Sequence, residues 1–275
     1  MSKIFQILSL VIAFVTIQNN SFAGSENYPV GARSAGMANS TVMTYDVWSV
    51  YHNQAGLAYL NNIYAGSYFE NRFNISELGV KSFAFVLPTK TGNFGASVTH
   101  FGYSKYNESK FGLAYARKLS EKFSVGLQFD YLNTFVGDEY GNKGTFVFEL
   151  GLMAEPVKNL TIGAHVYNPT RSKFAAYQDE RVPTIFRFGI GYNFSDKVLL
   201  TIETDKELDY KPTYRTGIEY HFLKNLYLRT GISANPNQNF FGIGYAFKRF
   251  NFDIAFSTHE VLPMTSHFSI NYKFN

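Results

Sequence analysis

The 275-residue chain has no cysteine, which excludes a disulfide scaffold, a thiolate metal site, a cysteine nucleophile and a lipidated cysteine anchor. Charge is sparse: 17% of residues are Asp, Glu, Lys or Arg, against 18% aromatic, a balance that excludes a disordered chain. The 25 basic and 21 acidic residues nearly cancel and are scattered, which argues against a nucleic-acid partner. No run of 18 apolar residues occurs, so a helical membrane span is excluded. The six histidines show neither His-x-His nor His-Glu-x-x-His spacing, so no metal site is expected. Gly189-Ile190-Gly191 and Gly242-Ile243-Gly244 lie in strand-like patterns and do not open helices, which removes a dinucleotide fingerprint; no cofactor is expected.

What is present begins with a leader. Lys3 supplies a positive start, Ile4–Ile17 an apolar stretch, and Ser21-Phe22-Ala23 a small-x-small cleavage pattern. Residues 1–23 therefore read as a secretory signal rather than an anchor, because the apolar run is short and Gln18-Asn19-Asn20 follows it. The chain after Ala23 carries 24 basic against 21 acidic residues.

From about residue 63 onward, apolar residues recur at every second position. Phe186, Phe188, Ile190, Tyr192 and Phe194 form one such row, with Arg187, Gly189, Gly191 and Asn193 between them. This is strand alternation with one apolar and one polar or small face. Fourteen segments fit: 63–72, 78–88, 92–105, 107–118, 122–136, 144–155, 158–168, 183–195, 197–207, 213–222, 225–234, 239–248, 250–259 and 265–275. Connections after odd-numbered strands are mostly longer, as at 169–182; those after even-numbered strands are mostly tight, as at Lys248-Arg249. The expected fold class is all-β: a transmembrane antiparallel β-barrel of about 14 strands with an N-terminal hatch inside the lumen. Closure follows from hydrocarbon's inability to satisfy backbone N–H and C=O groups, whereas a soluble sandwich explains neither the loop asymmetry nor so many exposed Phe.

Centring each tight hairpin on its turn fixes a register. This rule places Glu219 opposite Arg229, Arg187 opposite Asp205, Lys110 opposite Asp130 and Glu149 opposite His165. All four pairs are expected on the lumen face.

Residues 24–62 break the alternation. Gly31-Ala32-Arg33-Ser34-Ala35-Gly36-Met37 is small and Gly-rich, Asp46–His52 suits a helical turn or two, and Asn53-Gln54-Ala55-Gly56-Leu57 precedes the first strand. Three domains are expected: signal peptide 1–23, hatch or plug 24–62 and barrel 63–275. A 14-stranded lumen is too wide for strand side chains alone to fill, so a plug fits there. These stretches resemble the N-terminal hatch of the FadL-like long-chain fatty-acid transporters and the type IX secretion barrels of PorV/PorQ type. The closing Ser266-His267-Phe268-Ser269-Ile270-Asn271-Tyr272-Lys273-Phe274 resembles the last strand of the secretion-associated branch. The resemblance implies a hatch carried by Gly31, Ala32, Arg33, Gly36, Met37, Asp46, Asn53, Gln54, Ala55 and Gly56 in a bacterial outer-membrane barrel. Gln54 stands where that family usually has Pro, and the chain is shorter than most characterised members.

Three functions stay open. The first is transport of small hydrophobic molecules, with an apolar pocket between hatch and wall, a kink or gap in one strand, and room beside Gly189, Gly191, Gly242 and Gly244. The second is a non-enzymatic accessory barrel for type IX-like secretion or surface assembly, with a filled lumen and a protein partner on the 168–183 loop through Phe174, Tyr177 and Arg181. The third and least favoured is an outer-membrane hydrolase using His259, Glu260 and Ser257; no catalytic role is expected. The expected partners are outer-membrane lipid and either a hydrophobic small molecule or a secretion-system protein.

Overall fold

The computed structural model describes residues 27–137, 141–173 and 181–274. The expected signal, and Phe174 and Tyr177 of the expected partner loop, lie outside those residues. Fourteen strands follow in order: β1 Tyr64–Asn71, β2 Gly79–Pro88, β3 Asn93–Tyr103, β4 Tyr106–Ser120, β5 Phe123–Val136, β6 Gly141–Ala154 and β7 Leu160–Tyr167. The second half comprises β8 Ile185–Ser195, β9 Val198–Glu207, β10 Thr213–Leu223, β11 Leu226–Ala234, β12 Gln238–Phe247, β13 Phe250–Ser257 and β14 Thr265–Lys273. Each strand pairs antiparallel with its sequence neighbours, and β1 pairs with β14, so the sheet is a closed barrel.

Closure lets every strand alternate between two environments. On β8, Phe186 and Phe188 are about half exposed on the outer face while Arg187 is buried. On β5, Phe129 is 61% exposed and Asp130 1%. Charged groups thus face inward and large apolar groups outward, the inverse of a soluble core and the arrangement of a lipid-embedded barrel. The tight connections collect at one end with the start of β1 and the end of β14; the longer ones collect at the other. One loop-end connection is also tight, Ser104-Lys105 between β3 and β4.

Two of the four expected pairs are opposite each other: Glu219 with Arg229, and Arg187 with Asp205. The other two are displaced by two residues. Asp130 lies opposite Gly112, and His165 lies opposite Gly151. Between β4 and β5 the turn closes at Glu121-Lys122, where Ser120 meets Phe123, and with the irregularity at Lys118/Ser120 Arg117 meets Val125 instead of Phe123. Between β6 and β7 the turn is longer, with Asn159 at φ 69°, and Ala154 meets Ile162 instead of Leu160. A two-residue slip keeps each side chain on its face, so all these charges still point inward.

The segment before β1 lies inside the cylinder. It contains a short helix α1 (Ala32–Gly36), a single helical turn α2 (Ser49–His52) and a 3₁₀ stretch, Gln54–Tyr59. Its apolar side chains, Val30, Trp48, Val50, Tyr51 and Leu57, form one buried cluster with Tyr68, Val80, Ala84, Val86, Phe101, Ala114 and Ala116 of β1–β4.

Candidate functional site

The site is the plug, the inner wall it rests on, and the two spaces beside it. The plug holds its shape through its own polar groups. Asp46 Oδ1 accepts from Trp48 N at 2.8 Å, the short-range bond that favours Asp before a helical turn. Asn53 Oδ1 accepts from Ala55 N at 3.1 Å and caps the 3₁₀ stretch. The same Asn53 amide donates to Val42 O at 2.7 Å and to Leu152 O on β6 at 2.9 Å, so one residue ties two plug segments to the wall. Gly31, at φ 104°, packs its α-carbon against the Trp48 ring, where a β-carbon would come within 2.8 Å of that ring. Only glycine meets both conditions without strain.

The wall receives the plug on glycines. A β-carbon on Gly126, Gly151 or Gly163 would strike plug backbone or Asn53; one on Gly217 or Gly231 would strike Met37 and Ala38. Gly189 and Gly191 face Met43, and Gly242 faces Gly36. The expectation that Gly189, Gly191 and Gly242 leave open room is thereby corrected: the plug fills that room, because a missing side chain lets backbone approach backbone. Gly244 instead accommodates the side chains of Asp253 and Arg229.

Three groups of buried ionic contacts join plug to wall. Arg33 grips Glu219 through two 2.9 Å bonds, from Nε and Nη2, and Asp46 through a third from Nη1 at 2.9 Å. Glu219 also accepts from Arg229 Nε at 2.6 Å, and Arg229 Nη1 donates to Asp253 at 2.7 Å. In the second group Glu149, fully buried, accepts from Lys110 Nζ at 2.6 Å and from Gln54 Nε2 at 2.6 Å, and it lies 2.9 Å from His165 Nε2. Lys110 Nζ is 3.4 Å from Asp130, so the displaced register still assembles the expected charges. In the third, Arg187 Nε donates to Glu203 at 2.7 Å and its Nη2 to Asn39 O at 3.1 Å, while Glu203 accepts from Val42 N at 2.8 Å. Asp205, across from Arg187, pairs with Arg215 at 2.6 Å instead. Buried charges persist when paired and hydrogen-bonded, a condition these groups meet by sharing carboxylates between plug and strand.

Glu203, Asp253 and Gln128 escaped the sequence reading, although each sits at an inward-parity strand position, Asp253 and Gln128 between apolar neighbours and Glu203 between Ile202 and Thr204, which is the signal that marks it. Gln54 supplies Glu149 with a side-chain amide donor that a proline at this position would lack. The hydrolase arrangement is corrected: His259 Nδ1 accepts from the backbone of Val261 and Leu262, and Ser257 contacts His267 Nε2 at 3.0 Å. Arg181 donates to Arg171 O at 3.0 Å within its own loop.

Among the described residues, two cavities adjoin the plug. Toward the loop end lies a space of about 20 Å³, with Tyr28, Tyr51, Thr99, Lys110, Leu132 and Thr134 among its walls. Toward the turn end lies a polar space of about 250 Å³ bordered by Arg33, Asp46, Glu219, Arg229, Tyr245 and Asn251. The strand gap expected of a transport barrel is absent among the described residues, since all fourteen strands pair around the closed sheet. β7 is nevertheless short. It pairs with β6 only from Glu149 to Ala154, and beside the upper part of β6 the following loop takes its place, with Asn168 N bonded to Phe148 O at 2.9 Å.

The fold and its filled lumen define a structural class: the closed, plugged barrel of fourteen antiparallel strands. Within it, the chain resembles the CymD monoaromatic hydrocarbon channel (TM-score 0.69, 13% identity, 92% of this chain and 99% of that one). It also resembles the P. putida toluene transporter TodX (TM-score 0.66, 13% identity, 92% and 100%) and a Pseudomonas aeruginosa FadL homologue (TM-score 0.64, 12% identity, 90% and 99%). No family model and no curated protein matches the sequence.

Proposed function

We propose that this barrel sits in a bacterial outer membrane, tight turns toward the periplasm, and carries small hydrophobic molecules past its plug. The observation that carries the reading is the loop-end space, where Tyr28, Tyr51 and Leu132 meet a few polar groups directly above the plug. Apolar walls with sparse polar groups are the usual chemistry of a small-molecule site. At about 20 Å³ the space holds roughly one water. Its floor is fixed, because Tyr51 OH bonds to Phe83 O and Val98 O at 2.9 Å. Its lid is Tyr28, which rests on the Phe101 ring at 5.0 Å, carries Arg72 over its own ring at 4.8 Å and reaches Glu108 at 3.5 Å, while Lys110 reaches Asn27 at 3.3 Å. A ligand enters by displacing residues 27–28. The likeness to channels described as carrying toluene and monoaromatic hydrocarbons supports an aromatic-sized cargo.

Trp48, the sole tryptophan, lies 6.3 Å from Tyr51 and reports on this space. Bromobenzene is expected to quench its fluorescence saturably in the purified protein, and Leu132→Phe with Thr134→Phe to abolish the saturable component. Quenching that never saturates overturns the reading. A second reading, an accessory barrel for type IX-like secretion or surface assembly, is supported by the filled lumen. It predicts a closed barrel in planar bilayers and co-purification with a secretion-system protein that is lost when residues 170–182 are deleted.

A further inference from the structure

We propose that the turn end of the barrel carries a basic collar that selects anionic phospholipid headgroups from the inner leaflet of its membrane. The first observation is where the charge lies. All six tight turns hold a Lys or Arg: Lys90, Lys122, Lys158, Lys197, Lys224 and the Lys248-Arg249 pair. Lys273 occupies the seventh place, where β14 ends beside β1. Those six turns hold seven basic and three acidic residues, whereas the loop-end connections hold six basic and seven acidic. The near-neutral total therefore conceals a strong difference between the two ends.

The second observation is depth. Just inside the collar runs a belt of outward aromatic rings: Phe94 with Tyr115, Tyr192 with Phe194, and Phe250 with Tyr272 and Phe274. Such belts mark the headgroup level of a bilayer. Lys248 Nζ lies 5.4 Å from the Phe247 ring, its stem along the belt and its charge at the edge.

The third observation is Arg117. It belongs to the outward row of β4, between Tyr115 and Leu119, and its cross-strand neighbour is Val125. It is exposed and makes no ion pair with any described residue. A guanidinium facing lipid at headgroup depth is matched by a phosphate, which it binds with two parallel hydrogen bonds. Two collar cations have other work: Lys118 covers the Tyr59 ring of the plug at 4.2 Å, and Lys122 donates to Pro156 O at 2.9 Å. Lys90, Lys158, Lys197, Lys224 and Arg249 make no ion pair among the described residues and are exposed.

The distribution decides between occupants. A docked periplasmic protein covers one side of a mouth and calls for a patch. Here a basic residue recurs at every turn around the whole circumference, with Glu121, Glu155 and Asp196 sharing three of the turns, and this spread matches an annulus of lipid. Basic residues near an anionic leaflet are attracted individually, and their effects accumulate.

The test is lipid selectivity. The processed protein is placed in nanodiscs of phosphatidylcholine and phosphatidylglycerol in equal parts, and the lipids it retains are counted by native mass spectrometry. Wild type is expected to retain phosphatidylglycerol over phosphatidylcholine by about threefold or more, and the preference to shrink toward unity as salt is raised well above physiological strength. Replacing Lys90, Arg117, Lys158, Lys197, Lys224 and Arg249 by Gln is expected to abolish the preference, while exchanging Lys and Arg at the same positions preserves it. Lys105→Gln with Lys211→Gln, at the loop end, is expected to leave it unchanged. Equal retention of both lipids by wild type, or a preference that survives the six Gln substitutions, overturns the proposal. So does collar-dependent binding of soluble polyglutamate without lipid selectivity, which would assign the collar to an acidic periplasmic polymer.

Discussion

The plug meets two walls built on different chemistry. Against β1–β4 it packs apolar groups, Trp48, Val50, Tyr51 and Leu57, into a continuous buried cluster. Against β8–β13 it presents backbone to glycines and joins carboxylates and guanidinia: Arg33 to Glu219, Val42 N to Glu203, and Asn39 O to Arg187. Apolar contact is non-directional and tolerates small shifts, so the first wall supplies adhesion. Ion pairs and close backbone approach tolerate almost none, so the second supplies position. A plug built this way yields first along its charged side while still held by its apolar one.

The largest expected effect tests adhesion. Trp48→Ala removes a fully buried side chain from the apolar wall and should lower the stability of the seated plug by about 3–5 kcal/mol, read as protease cleavage of the plug at lower denaturant. If only the barrel's own unfolding shifts, the plug is not held by that cluster. Next comes the backbone contact. Gly231→Val sets a β-carbon 2.7 Å from Ala38 N and should displace the plug from β11 at a cost of about 1–3 kcal/mol, raising single-channel conductance in planar bilayers. The smallest is Arg33→Gln. The Arg33 side chain keeps 21% exposure and Glu219 retains Arg229, so about 1–2 kcal/mol is expected, again as more frequent openings. Equal conductance changes for Trp48→Ala and Arg33→Gln would dissolve the distinction between the walls.

How much of this was legible depended on the range of the cause. Strand alternation is local, so Phe186 through Phe194 declared their outward face, and the intervening residues their inward one, without knowledge of any partner. Register depends on the turn. The rule succeeded at Phe222–Leu226, where the shift between His221 and Leu223 lies at the turn itself, and slipped by two at Ala154, where Asn159 lengthens the connection. The charges of Glu149 and His165 still found each other, because long side chains bridge a two-residue offset on one face. The glycines carried the weakest signal. Gly189 reads alike as curvature, as open space or as a seat for Met43, and only the three-dimensional placement of residues 37–43 separates these. Tyr28 gave no sign of its place either, since its contact with Phe101 joins positions far apart in the sequence.

The seam between β1 and β14 joins strands made at opposite ends of synthesis, and the plug touches both. Gly66 on β1 packs against the Trp48 ring, and Ser269 Oγ on β14 accepts from Ala32 N at 3.3 Å. The stopper is thus also a jig: the first and last staves of the cylinder rest on a common surface, so whatever unseats the contents also removes a support from the seam of the wall.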